Sequence, residues 1–338
     1  MKRSARNAIC PVCQSQDTFL TARFSSRQAA LHLAGSQDDA RTGSIERQVQ
    51  GLWHGSTASF FRCSDCTLSF AVPFVAGDAS LYSEAYRGGQ YEEWKWEFEA
   101  ALPLARATLA SVPAPSLLEA GAGRGAFLKR LLLDAVPPPT ILATELSESG
   151  RSLLADLGVE CCPTDFRDEG FARGRTFDVI CLFQVLEHLD RPPETFRKLA
   201  QLARPEALLL ISVPNWRQRA VWDACGVPMD VPPAHITRWT GRAMRAAAEP
   251  WGWTLVSEQT EPQSARSRFR DVVLARYFRT CPAAPMVRRL SARSLRRALA
   301  MAALAAWMIP AMPHLPKLLA PDTGTARLFV LRFSEGRK

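Results

Sequence analysis

Two groups of residues in this chain have the types and spacing to do chemistry. The first is Cys10-Pro-Val-Cys13 with Cys63-Ser-Asp-Cys66. Each C-x-x-C knuckle offers two thiolates from one tight turn, and together they make a tetrahedral four-sulfur set suited to zinc. Four sulfurs leave no open position, which favours a structural ion over a catalytic one. Two unrelated pairs, or a redox C-x-x-C, are the competing readings. The second group runs through Ser116 to Leu131, where a short apolar run is followed by Glu119, then Gly121, Gly123 and Gly125, then an amphipathic stretch from Ala126. That order reads as strand, tight turn and helix. Glycines let the backbone bend sharply and come close to a ligand, while the helix N-terminus offers unpaired N–H groups, so a nucleotide-like ligand is the natural occupant. Gly121-x-Gly123-x-x-Ala126 also fits a dinucleotide-binding fingerprint. Glu119 argues against that reading, because a carboxylate there would repel a pyrophosphate and suits an amino or hydroxyl donor. A second acid, Glu145, ends the next apolar run and could hold both hydroxyls of a ribose. Asp165 follows a third short segment and could sit near an adenine edge.

From Leu117 to Thr260 these residues resemble a class I S-adenosylmethionine-dependent methyltransferase. The resemblance implies that Glu119, Gly121, Gly123, Gly125, Glu145 and Asp165 form the cofactor site. It also matches Gln184-Val185-Leu186-Glu187-His188-Leu189 to the segment after the fourth strand, which places Gln184 at the methionine end of the cofactor and His188 close to the chemistry. Pro233-Ala234-His235 matches the segment that approaches the acceptor pocket. His235 is then the leading candidate for a general base, since an imidazole titrates near neutral pH and can take a proton as the methyl arrives. A satisfied structural histidine is the plain alternative for His188, and a cap on the helix Thr240 to Ala248 is the alternative for His235. The cysteine knuckles, with Phe60-Phe61-Arg62 before the second and Leu68-Ser69-Phe70 after it, resemble the zinc-ribbon head of one group of bacterial methyltransferases. Leu81 to Tyr86 fits that group's connector, in which Tyr82 and Tyr86 could roof the cofactor pocket or simply pack in the core. Relatives with such a head include sugar C-methyltransferases acting on nucleotide sugars.

The elements that must position these groups follow from periodicity. Trp94, Phe98, Ala101, Leu102, Ala105 and Leu109 recur at helical spacing within Tyr91 to Leu109. Strands are expected at Leu117, at Ile141 to Glu145, at Val159 to Cys162, at Phe177 to Phe183, at Ala207 to Val213, at Trp253 to Glu258 and at Ala326 to Phe333. The fourth is apolar throughout, as a parallel strand covered on both faces must be. The expected fold is α/β, a Rossmann-like doubly wound sheet of seven strands, with the seventh reversed at an edge as the resemblance implies. A zinc-ribbon-like module over 1–75, a helical connector over 76–112 and a catalytic domain over 113–338 divide the chain. Leu33 to Gly55, rich in Gly, Ser, Gln and Asp, reads as an inserted loop in which His32 and His54 are solvated. Trp216 to Pro233 reads as irregular. Cys161 and Cys162 read as packing residues.

The net charge of +9 is uneven: from Pro262 onward there are fifteen Lys or Arg against three acids. Residues 261–324 form an insert in which Arg266 to Arg297 carries ten arginines and one aspartate, and Ala298 to Pro313 carries no charge. Sixteen residues interrupted by Pro310 are too few to span a bilayer, and suit an interfacial helix at an anionic surface or a lid. Nine cysteines without an apolar leader suit a reducing cytoplasm, with contact at the inner membrane face a possibility of the insert. The expected activity is methyl transfer from S-adenosylmethionine to a small-molecule acceptor: a nucleotide sugar, a secondary metabolite or a lipid-linked substrate. One rival is a zinc-bearing nucleic-acid-binding protein with a vestigial cofactor fold, although the arginines favour phosphate contact without base readout. The other is an NAD-dependent dehydrogenase.

Overall fold

The computed structural model describes residues 8–34, 39–85, 94–133, 138–225, 230–270, 322 and 324–334, with 273, 299, 302, 306, 309 and 313 singly. The chain divides into two compact units. One comprises Met1–Pro214, Val231–Gln259 and Ala326–Lys338, the other Asn215–Asp230 and Thr260–Thr325. Tyr86, the cluster Arg288 to Arg297 and Trp307 lie outside the described residues, so the lid and membrane readings of the insert rest on sequence alone.

The first unit holds a seven-stranded sheet. Its strands are β4 (Ser116–Ala120), β5 (Thr140–Thr144), β6 (Glu160–Cys162), β7 (Phe177–Phe183), β8 (Ala203–Pro214), β10 (Trp253–Thr260) and β11 (Ala326–Phe333), in the order β10-β11-β8-β7-β4-β5-β6. β4 pairs in parallel with β5 and β7, β5 with β6, and β7 with β8. β11 runs antiparallel to β8. The reversed strand therefore sits between β8 and β10, which corrects its expected place at an edge: the closing strand inserts where it finds the fully buried ladder of β8. Because β7 is buried at every position, its side chains enter cores on both faces. On one face α4 (Trp96–Ala110) lays Phe98, Ala101, Leu102, Ala105 and Leu109 against Leu117, Phe127, Val179 and Phe183. On the other, α7 (Pro192–Gln201) and α9 (Gly241–Ala248) contribute Phe196, Leu199, Met244 and Ala247 to a core with Leu118, Ile180 and Leu182.

The N-terminal region forms a second sheet, β1 (Thr18–Ser25), β2 (Thr57–Cys63), β3 (Ser69–Val72) and β9 (Thr237–Arg238). β9 comes from beyond β8 in sequence, with Phe70 paired to Thr237. Cys10, Phe61, Cys63, Cys66 and Leu68 share one buried cluster with Phe196, Trp239 and Met244, so the cysteine module and the large sheet are continuous through their cores. The expected loop from Leu33 to Gly55 is instead helical: α1 (Ser26–Ala34) is followed by α2 (Asp39–Trp53). Its polar composition conceals Ile45, Val49 and Trp53, four apart and buried, which form one helical stripe over the second sheet. His32 lies in the last turn of α1 and is half-buried rather than solvated, and His54 is exposed with φ +49°.

In the second unit, α8 (Trp216–Ala224) replaces the irregular stretch expected from Trp216 onward. Prolines lie outside that helix, and Asn215 caps it by accepting a bond from the Arg217 N–H. Asn215 also donates to the carbonyls of Asp322 and Gly324, and Arg219 pairs with buried Asp230 at 3.1 Å.

Candidate active site

At the C-terminal end of β4 the chain enters Gly121-Ala122-Gly123-Arg124-Gly125 and leaves in α5 (Ala126–Leu132). All three glycines have φ between +57° and +73°. Two of them are glycine for different reasons. A Cβ on Gly121 would stand 2.6 Å from Cγ2 of Val185, so this turn is pressed against the segment after β7. A Cβ on Gly123 would meet nothing within 4 Å, so the turn there faces open space. Gly150, which gave no signal in the sequence, closes the other side: a Cβ on it would lie 2.5 Å from the Gly123 carbonyl oxygen.

Two carboxylates border this turn and differ in state. Glu145 accepts from the Gly123 N–H at 2.9 Å and from the Ser147 N–H at 2.7 Å, tying the second strand end to the loop. Glu119 is 2% exposed, and its Oε2 has no hydrogen-bond partner among the described residues. Burial, and then the charge of Glu145, push its carboxyl well above the ordinary range. A buried acceptor left unpaired carries a desolvation penalty of about 1–3 kcal/mol. A cationic or N–H donor arriving beside it would remove that penalty. Asp165 is committed elsewhere: Arg167 binds it through Nη2 at 2.7 Å and reaches Asp190 at 2.9 Å. Burial raises the Asp165 carboxyl, but the Arg167 bonds and charge outweigh it and hold the group below its usual value.

After β7 the chain turns through Gln184, whose φ of +57° is uncommon for a residue with a side chain. Its Nε2 donates to Oε1 of Glu97 at 3.1 Å and to Oγ of Ser212 at 3.3 Å. Glu97, buried in the first turn of α4, was not foreseen as part of this site. The strained turn then delivers Leu186–His188 as a single helical turn.

His188 Nδ1 lies 2.6 Å from the carbonyl oxygen of Ala234. That oxygen can only accept, so Nδ1 carries a proton, and in the neutral ring the lone pair is on Nε2. The Tyr82 hydroxyl donates to the same carbonyl at 3.1 Å and lies 3.1 Å from Nδ1. His235 meets His188 edge to face with ring centroids 4.6 Å apart. Buried Glu187 faces His188 Nε2 at 4.0 Å. One donor atom from each of Glu187, His188 and His235 lies within 4.8 Å of the others. The helix cap suggested for His235 belongs to Thr240, whose side chain accepts from the Ala243 N–H. His235 is held instead by a short segment fastened at several points. Ile236 N–H donates to the Glu187 carbonyl at 2.9 Å, Ala71 N–H to the Ile236 carbonyl at 2.8 Å, and Gly77 N–H to the Pro233 carbonyl at 3.0 Å.

The four predicted cysteines converge, with all sulfurs within 4.8 Å of one another. Cys10 Sγ is 3.5 Å from Cys66 Sγ, and Cys13 Sγ is 3.5 Å from Cys63 Sγ. Sulfurs bound to one tetrahedral zinc at ~2.3 Å stand roughly 3.8 Å apart, so this set needs little movement to hold an ion. The hydrogen bond from Cys66 brings the Cys10 thiol down to about 5, and the Cys66 thiol moves up correspondingly.

A family model described as a methyltransferase domain matches residues 94–258, from α4 into β10. The chain carries a methyltransferase domain. No curated protein matches the sequence. Among solved structures, coclaurine N-methyltransferase bound to N-methylheliamine and SAH is 12% identical, with a TM-score of 0.46 over 90% of this chain and 92% of that one. The cyclopropane synthase MmaA2 from Mycobacterium tuberculosis is 16% identical, with a TM-score of 0.44 over 69% and 83%. The N-methyltransferase NodS from Bradyrhizobium japonicum WM9 is 15% identical, with a TM-score of 0.40 over 71% and 97%. The seven-stranded sheet, of which the matched residues supply all but β11 and the end of β10, brings the glycine turn, Glu145 and Gln184 to the C-terminal strand ends, where open α/β sheets bind ligands.

Proposed function

We propose that the protein transfers a methyl group from S-adenosylmethionine to a small-molecule acceptor. The observation that carries this reading is the pairing of an open turn at Gly123 with a buried, unsatisfied carboxylate oxygen at Glu119, inside a matched methyltransferase domain. The cofactor fits these residues: Glu119 would take its ammonium group, Glu145 its ribose hydroxyls, the glycine-turn backbone its close approach, and Asp165 and Gln184 would border it. Bound there, S-adenosylmethionine supplies an electrophilic methyl carbon on a sulfonium. The chain's part is to hold the acceptor in line and to receive its proton. His235 is the base in this reading, and His188 orients it, its own ring fixed by the Ala234 carbonyl. Cys10, Cys13, Cys63 and Cys66 would hold a structural zinc, whose part is to fasten the sheet that carries β9 and the segment before it.

The acceptor is drawn from small molecules with an ionisable proton. Nucleotide sugars, secondary metabolites and lipid-linked compounds all qualify, and the arginine-rich insert would suit a diphosphate on any of them. A peripheral contact with an anionic membrane surface belongs to the same reading if that insert serves a lipid-linked acceptor. Calorimetry of the full chain with S-adenosylhomocysteine, S-adenosylmethionine and NAD tests it. Micromolar binding of the first two with none of NAD supports methyl transfer. NAD binding with neither of the others overturns it in favour of a dehydrogenase, and absence of all three together with salt-sensitive RNA binding overturns it in favour of a nucleic-acid module.

A further inference from the structure

We propose that Glu187, His188 and His235 form a divalent-cation site, separate from the four-cysteine cluster. Two imidazoles and one carboxylate converge from segments far apart in sequence, with one donor atom from each within 4.8 Å of the others. Bound to one ion at ~2.0–2.2 Å, such atoms stand roughly 3–3.5 Å apart, so small side-chain rotations complete the set. The second observation is how His188 is held. A metal-ligating histidine characteristically donates its other ring N–H to a carbonyl or carboxylate, which fixes the tautomer and aims the lone pair. His188 does this: Nδ1–H donates to the Ala234 carbonyl at 2.6 Å, and Nε2 is turned toward Glu187. The same Ala234 carbonyl also accepts from Tyr82, and Ala234 directly precedes His235, so one backbone unit braces two of the three ligands. The third, Glu187, is 1% exposed.

The donor set also differs in kind from the cysteine cluster. Four thiolates select zinc and close its coordination, whereas two imidazoles and one carboxylate leave positions open and admit manganese, iron(II), cobalt or zinc. Open positions beside the segment that touches the glycine turn through Val185 would face an acceptor. Resting on the proposed methyl transfer, the cation takes the lone pair of His235 and replaces its role as base: the ion's part is to draw electron density from an acceptor hydroxyl. Its O–H bond breaks with the proton passing to solvent, the oxygen pair forms the bond to the methyl carbon, and the carbon–sulfur bond breaks with its pair on sulfur. Each turnover then yields a methyl ether, a thioether and one proton. The acceptors this favours carry a hydroxyl, or paired oxygens able to chelate.

The test uses the zinc-loaded full chain titrated with Mn2+, the free ion followed by electron paramagnetic resonance. Mn2+ avoids thiolates, so the cysteine cluster is silent in this assay. The expected result is about one Mn2+ per chain, with affinity lowered by at least about 100-fold in His235→Ala and in the near-isosteric Glu187→Gln, because each removes a direct ligand. Bound S-adenosylhomocysteine, measured on the same samples, reports that the variants are folded. Wild-type protein that leaves millimolar Mn2+ free, or His235→Ala that binds it as wild type does, overturns the site. Mn2+ binding without S-adenosylhomocysteine binding would instead overturn the proposed function and leave the cation site standing.

Discussion

The two halves of the candidate site are assembled differently. The cofactor side runs from Glu119 through the glycine turn to Glu145, adjacent strand ends joined by one helix, and its decisive bonds are local. The acceptor side joins Tyr82, Glu187, His188, Ala234 and His235, with partners 106 and 152 positions apart, and it is fastened to Ala71 and Gly77 of the N-terminal region. A cofactor cradle of this kind depends on a single βαβ unit. The segment that carries His235 is bonded to Ala71 and Gly77, so in the proposed reaction the head would act on the chemistry by holding His235.

The largest effect that could break this comparison comes from the head itself. Replacing Cys63 and Cys66 together by serine should abolish zinc binding, otherwise expected at about one per chain, and lower stability by on the order of 5 kcal/mol, since metal binding and folding are coupled and both residues lie in the shared core. In protein that remains folded at low temperature, binding of S-adenosylhomocysteine should persist while methyl transfer falls by about 100-fold, the scale expected when a catalytic group is displaced by an ångström. Metal analysis, thermal melting, calorimetry and turnover on one preparation decide it. Equal loss of cofactor binding and transfer would erase the distinction between the two halves.

The converse variants act on the cradle. Gly123→Val places a β-branched residue at φ +57° and fills the space in front of the turn, so cofactor binding should fall by about 3 kcal/mol or more. Glu145→Ala removes the acceptor for the Gly123 and Ser147 N–H groups along with the ribose partner, and should weaken binding by about 1.5–3 kcal/mol. Zinc content should be unchanged in both. Wild-type affinity in either variant would remove the cradle assignment.

Legibility in the sequence follows the same division. The seven strands, the apolar face of α4 and the glycine turn are written in local periodicity, and each was found at or near its expected place. The reversed strand was misplaced because strand order is set by which ladder buries best, and spacing says nothing about that. Ile45, Val49 and Trp53 were obscured by the polar residues between them, so a helix read as a loop. Glu97 and Glu187 were missed as site residues because a lone acid at a helix start or beside a histidine carries no signal until the fold buries it. Likewise, no spacing rule connects Tyr82 to His188. The signal that could have raised Glu187 is its position next to His188 in an otherwise apolar segment, where an acid costs energy unless it has work to do.

Glu119 sharpens the cofactor side by its proton. Its folded carboxyl lies above the ordinary 4.5, so between those values the folded chain holds a proton that the unfolded chain has lost. Its stabilising contribution is therefore present at low pH and is lost as pH rises through the raised value. An arriving ammonium favours the carboxylate, so binding should release up to about one proton and tighten as pH rises through that value. Calorimetry in two buffers of different ionisation enthalpy measures the release. Glu119→Gln should bind with no proton release and no such pH dependence. An unchanged release in that variant would place the titrating group elsewhere.

The smallest expected effect tests the acceptor side alone. The Tyr82 hydroxyl donates to the Ala234 carbonyl at 3.1 Å, and that carbonyl orients His188 while its residue leads into His235. Tyr82→Phe removes one hydrogen bond and leaves the ring, whose edge-to-face contact with His188 at 5.6 Å is preserved. The loss should be about 1 kcal/mol, near fivefold in kcat, since a single neutral hydrogen bond contributes on that scale. Because the remaining Nδ1–Ala234 bond still fixes the tautomer, the pH profile should keep its shape and only its height should fall. S-adenosylhomocysteine affinity should be unchanged, as the bonds of the Tyr82 hydroxyl lead to His188 and Ala234. A drop in cofactor affinity matching the drop in kcat would instead make Tyr82 a roof over the cofactor and move it to the other half of the comparison.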